Sequence, residues 1–219
     1  MSAWLILETS GRSRVSLAVG GAVAAPADRG GGRQHNRLLL PTVADLLTGR
    51  GIAPKSLAGV AVGVGPGSYT GLRVGITAAK TLAYAVGCSL VAVPSFRAVA
   101  ADVPGTVDVI GDALQGLIYV QRFADGVPVS ELRIAPFEEW VSEVGGVVAG
   151  PGLGPFAARL PEGVTRSPVV EPSVDAVYRV SQTLRPLTPD EVMTLEPLYL
   201  RGSSAEEKAK GATSSSPRS

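Results

Sequence analysis

VAVGVGPGSYTGLRVGITAAKTLAYAVG, running from Val60 to Gly87, reads as a strand, a turn and a helix. Val60 to Val64 is a short apolar run of small and β-branched residues, which suits a strand buried on both faces. Gly65 to Gly71 holds three glycines and a proline, residues that permit tight backbone geometry. Beyond it Leu72, Ile76, Ala79, Ala83 and Val86 recur with helical spacing as one apolar stripe. Arg73, Thr77, Lys80 and Tyr84 form a second, more polar stripe. Ser68 or Thr70 can cap the helix, and Gly87 stands where a left-handed residue ends one.

Three uses of this unit are open from the residues alone. Amides at a helix N-terminus attract anions, so the turn could cradle a phosphate. It is neither a Walker loop, because Leu72-Arg73 follows Gly71, nor a dinucleotide fingerprint, because Gly63, Gly65 and Gly67 have the wrong spacing. Alternatively the glycines let helix and strand pack closely. Third, Gly75, Ala78, Ala79, Ala83 and Ala85 make a face small enough for another helix to lie against.

The same alternation of strand and helix signals extends in both directions. Trp4 to Leu7, Val15 to Val19 and Ala22 to Ala24 read as strands, the last two joined through Gly20-Gly21, and Pro26 to Gly32 as a loop. Leu39, Val43, Leu46 and Leu47 repeat as a helix, which either starts near Pro41 or kinks there. Leu90 to Val93 is a strand and Ser95 to Ala101 a short helix. Past Pro104-Gly105 the order recurs: strands over 107–110, 117–123 and 129–134, a helix over 136–144, a strand over 146–149, then a glycine-proline turn and a helical piece. Ser173 caps a helix containing Val174, Val177, Tyr178 and Leu184, and the stretch from Pro186 to Pro197 carries no clear element signal. A β-β-β-α-β-α unit written twice is the element order of two ribonuclease-H-like lobes, the α/β architecture of the actin-like ATPases. The expected division is 1–104 and 105–202, with 203–219, which lacks large apolar residues, as a disordered tail.

Composition narrows the function classes. With 45% apolar and 18% charged residues, 219 residues can fill a globular core. A formal net charge of +1 provides no global field for nucleic acid, although Arg29, Arg33, His35 and Arg37 cluster. Cys88 alone excludes a disulfide framework and suits a reducing, cytoplasmic setting. It reads as a packed small residue. The apolar run at Trp4 is too short for a leader or a membrane span. One histidine without a cysteine cluster argues against zinc. A two-metal nuclease would need an acid after the fourth strand, where Val64-Gly65 stand. In the duplicated fold Glu8 and Asp112 close the first strand of each half, so with Thr9 and Ser10 they are the candidate nucleotide contacts. They could hold hydrated Mg²⁺ against ATP, as in an actin-like ATPase or small-molecule kinase, or simply satisfy turn amides.

Gly63 to Gly75 resembles the GxGPGSFTGxRxG signature of the TsaB family. Supporting pieces stand in order: Glu8-Thr9-Ser10 for Asp-Thr-Ser, His35 to Pro41 for His-Ser-x-x-Leu-Leu-Pro, Asp112-Ala113 for Asp-Ala-Arg, and Pro197 to Arg201 for the closing Pro-x-Tyr-Leu-Arg. Glu8 and Leu114 depart from the pattern, where Asp and Arg are usual. The resemblance implies a non-catalytic paralogue of TsaD, the transferase that places threonylcarbamoyl on adenosine 37 of ANN-decoding tRNAs. TsaD carries its metal on a His-x-x-x-His helix, and Ser95 and Val99 stand in those two positions here. No catalytic residue and no metal site are therefore expected. A peptidase reading lacks a recognisable nucleophile. The implied partners are TsaD in a heterodimer, the ATPase TsaE in the wider complex, tRNA through that complex, and a second copy when the chain is alone. Leu39, Val43, Leu72, Gly75, Ile76 and Ala79 are the expected interface residues, and weak ATP or ADP with Mg at or near the partner interface is the one nucleotide left open.

Overall fold

The computed structural model describes residues 2–28, 35–198 and 200, with the backbone alone for Asp28 and residues 35–37. The tail from Ser203, the arginines at 29 and 33, and Tyr199 and Arg201 of the closing motif lie outside the described residues, as do the side chains of His35 and Arg37.

The first half folds as β1 (Ala3–Glu8), β2 (Arg14–Val19), β3 (Ala22–Val23), β4 (Ala27–Asp28), α1 (His35–Gly49), β5 (Leu57–Gly63), α2 (Tyr69–Val86), β6 (Ser89–Val93) and α3 (Ser95–Ala100). Its sheet runs β3-β2-β1-β5-β6, with β4 also on β2. The β1–β2 pair is antiparallel, while β1–β5 and β5–β6 are parallel. The second half gives β7 (Thr106–Asp112), β8 (Leu117–Ala124), β9 (Val127–Pro128), β10 (Arg133–Pro136), α4 (Phe137–Val141), β11 (Val147–Ala149), α5 (Leu153–Phe156) and β12 (Thr165–Arg166). The chain ends in α6 (Val174–Ser181) and α7 (Pro189–Thr194). The second sheet runs β10-β8-β7-β11-β12, so the strand that opens each half lies at the centre of its sheet. This is the duplicated, two-lobed α/β arrangement of the actin-like ATPases.

Burial on both faces explains the apolar strands. Val60 and Val62 of β5 join Leu5 and Leu7 of β1 against α1 and α2. Ala61 and Ile6, on the opposite face, pack against Val174, Ala176 and Val177 of α6. The division that assigns 105–202 to one lobe is corrected here, because α6 covers the first sheet. Its apolar stripe has no counterpart on the second sheet, whose faces are filled by α4 and α5 on one side and α3 on the other. The short helix α3 lies between the sheets, with Ala98 toward the first and Phe96, Val99 and Ala100 toward the second.

Other differences from the expectation have local causes. The strand expected over 129–134 is strand only from Arg133, in β10, while β9 precedes it; between them Arg122 N donates to the Ser130 hydroxyl at 2.8 Å instead of to a backbone carbonyl. The loop expected after Pro26 contains β4 on the rim of β2. The helix α1 runs through Pro41, whose side is exposed. The expected cap alternatives resolve to Ser68, whose Oγ accepts from Gly71 N at 3.2 Å, and Gly87 ends α2 at φ 71°.

Candidate functional site

The end of β1 is enclosed rather than open. Glu8 is 1% exposed. Its Oε1 accepts from Ser10 N at 2.6 Å and its Oε2 from Ser95 Oγ at 3.0 Å. Ser95 Oγ in turn accepts from Gly65 N at 3.2 Å, and Ser95 N donates to Gly65 O at 2.8 Å. One carboxylate thus joins the end of β1, the glycine turn and the start of α3. Its place exists because Gly63 has no side chain: a Cβ there would lie well under 3.0 Å from the Glu8 carboxylate. The extra methylene of glutamate fills the space that this glycine leaves. Burial pushes the Glu8 carboxyl above its ordinary range, against the lowering effect of the Ser10 and Ser95 hydrogen bonds and the Arg14 charge.

Thr9 and Ser10 continue along the N-terminal turns of α2. A Cβ on Gly67 would strike Ser10 O, one on Gly71 would strike Thr9 O, and one on Gly75 would strike Thr9 Oγ1, all well under 3.0 Å. These three glycines, four residues apart, form a groove that the chain's own Thr9-Ser10 segment occupies. Ser68 N donates to Ser10 O at 2.6 Å and Ser68 Oγ takes Gly71 N. Ser68 N and Gly71 N are therefore taken by protein groups, and the glycines of the turn serve close packing against Thr9 and Ser10.

Of the four expected nucleotide contacts only Ser10 and Asp112 keep open surface. Glu8 and Thr9 are buried, and Ser10 is half-buried. Asp112 is exposed and its Oδ1 accepts from Leu114 N at 2.7 Å, an ordinary turn contact. The expectation that Glu8 faces an open cleft is corrected, because its side chain turns toward Gly63 and Ser95 instead. Gly63 was the signal in the sequence, but its meaning depends on β1 pairing in parallel with β5.

The nominated interface residues also need correction as surface groups. Leu39, Val43, Leu72, Ile76 and Ala79 are 0–3% exposed, and Gly75 is buried against Thr9. They belong to this chain's own core. The outward faces of the same helices carry other residues: Leu38, Leu40, Pro41 and Ala44 on α1, and Tyr69, Arg73, Thr77 and Tyr84 on α2. Leu40 is 53% and Tyr84 84% exposed. The polar stripe of the sequence is thus the outer face of α2.

The helix that the resemblance aligns with a metal-bearing one does not fit a metal. Ser95 is 1% exposed and engaged by Glu8 and Gly65, and Val99 is fully buried among Phe96, Val107 and Phe123. Among the described residues no group of three His, Cys, Asp or Glu side chains is placed to hold a metal ion. Cys88 is half-buried beside Ala83 and the β6 core, and burial pushes its thiol up, as a packed residue requires. Among the described residues no helix is long and apolar enough to cross a membrane.

Two solved structures from Pseudomonas aeruginosa are similar to this chain. One is an uncharacterized protein with similarity to the peptidase YeaZ, 26% identical, with a TM-score of 0.77 over 92% of this chain and 100% of that one. The other is YeaZ, 24% identical, with a TM-score of 0.75 over 91% of this chain and 100% of that one. No curated protein sequence matches. The family model of TsaD, tRNA N6-adenosine threonylcarbamoyltransferase, matches residues 19–135, which is more than half of the 219 residues, and the chain belongs to that family.

Proposed function

We propose that this chain is a non-catalytic docking subunit of the tRNA threonylcarbamoyladenosine machinery, acting in the cytoplasm by binding the catalytic TsaD subunit. The observation that carries this reading is α3. Where the transferase is expected to hold its metal, Ser95 and Val99 are absorbed into the packing between the two sheets. A family member that has lost those ligands and enclosed its β1 carboxylate retains folded surface as its asset. TsaE and tRNA then meet this chain through the complex, and without TsaD a second copy covers the same face.

The docking face is the exposed side of α1 and α2, which adjoin one another. Large apolar groups exposed on neighbouring helices suit a partner that buries them, and a stable complex requires on the order of 1,200–2,000 Å² in total. Leu40→Asp and Tyr84→Asp are each expected to weaken the complex with TsaD at least about tenfold, above the ~1 kcal/mol that only a minority of interface side chains reach. Both should leave thermal stability near wild type, because neither side chain belongs to the core. Calorimetric titration with purified TsaD checks this. Unchanged affinity in both variants would remove α1 and α2 as the docking face. Threonylcarbamoyl transfer to tRNA by this chain alone would end the non-catalytic reading.

A further inference from the structure

We propose that residues 187–198 form a strap latched over α2 by Lys80, and that its closed position sets the shape of the docking face; the coupling to docking rests on the function proposed above. The two ends of the strap are tied to the first sheet. Leu187 N donates to Leu90 O at 2.8 Å on the edge strand β6, and Leu198 N donates to Val64 O at 2.9 Å just past β5. Between them α7 begins with a capping box of Thr188 and Glu191, with Arg185 on Glu191, which holds that carboxyl down at about 2. No residue of α7 is fully buried, and Leu187, Val192 and Leu195 are only partly buried against the core.

One charged group ties the middle of the strap to α2. Lys80 Nζ, on the outer stripe of α2, donates to Met193 O at 2.7 Å and Leu195 O at 3.2 Å. These carbonyls lie at the C-terminal end of α7, where a cation is favoured by unpaired acceptors and by the helix dipole. A six-residue helix is marginal alone, so a charge-assisted latch governs how often it lifts. Closed, the strap forms the second wall of a groove of about 230 Å³ against Arg73, Ile76, Thr77 and Lys80 of α2. Met193, 69% exposed, stands on its rim. Arg73 and Thr77 belong both to this groove and to the docking stripe, so the strap borders the surface a partner would cover. Opening removes the wall and changes that surface without altering either sheet.

The test is amide hydrogen exchange and TsaD affinity on the full chain. Lys80→Met is expected to speed exchange across residues 189–198 about tenfold, with β1 and β5 unchanged, whereas Lys80→Arg keeps the strap slow. Wild-type exchange in the strap of Lys80→Met overturns the latch. Thr188→Ala, which alters no side chain of α2, loosens α7 from its other end. Both Lys80→Met and Thr188→Ala should weaken TsaD binding at least tenfold. Faster strap exchange with wild-type affinity in Thr188→Ala overturns the coupling. If the wild-type chain does not bind TsaD, the docking function and the coupling both fail, and the exchange result alone decides the latch.

Discussion

Gly75→Leu is expected to destabilise the folded chain by about 3 kcal/mol or more, before any partner is considered. Its Cβ would lie well under 3.0 Å from Thr9 Oγ1 and within 3.1 Å of Thr9 Cβ. Thr9 is 1% exposed and continues directly from the central strand, so it has nowhere to retreat. Gly71→Ala meets a harder obstacle, the backbone carbonyl of Thr9. Set against a typical total stability of about 5–15 kcal/mol, either change consumes a large fraction of the margin. Gly49→Ala, in a helical position with nothing within 4 Å, is the control and should leave stability at or slightly above wild type. Denaturant unfolding measures all three. A folded, wild-type-stable Gly75→Leu would show that β1 and α2 are not packed as described. Loss of a complex in this variant therefore reports on folding, whereas Leu40 and Tyr84 report on docking.

Glu8→Ala is expected to cost about 3 kcal/mol, since it leaves Ser10 N and the Ser95 hydroxyl without their acceptor inside a closed site, at about 1–3 kcal/mol for each orphaned group. Glu8→Gln keeps the shape and an acceptor for Ser10 N. The two substitutions also separate in their pH dependence. Burial raises the folded carboxyl above its unfolded value, so between the two values the folded chain holds more protons than the unfolded one. The contribution of this group is therefore full below about pH 4.5 and declines as pH rises through the folded pKa, by about 1.4 kcal/mol per unit of difference. Glu8→Gln removes that decline, and at neutral pH it should be at least as stable as wild type. Unfolding curves taken from pH 4 to 8 measure the effect. Identical pH profiles for wild type and Glu8→Gln would mean that the carboxyl is not held in a desolvated site.

Much of the architecture is legible in the residues because periodicity is local. The apolar run at 60–64, the stripe from Leu72 to Val86 and the stop at Gly87 need no tertiary information, since each follows from backbone preference and from which face avoids water, whereas the choice of Ser68 over Thr70 as cap needs the structure. The doubled β-β-β-α-β-α order is legible for the same reason. The second copy is read less well, as its strands and helices are short and the Ser130 hydroxyl takes the Arg122 N–H where a strand is expected.

The site departs from its sequence reading where the answer depends on long-range contact. Glu8 looks like a metal-facing carboxylate until Gly63 and Ser95, distant in sequence, are seen to enclose it. The small residues of α2 look like a surface for another helix until Gly75 is found against Thr9 and Ala78, Ala79 and Ala83 within the first core. Helix α6 was assigned to the second lobe by chain order, yet its buried stripe completes the first. By itself, then, the sequence determined the kinds of element, their order and the helix faces that shun water. Only the tertiary structure decided which of those faces are already covered, because a side chain is core or surface according to what another part of the chain brings against it.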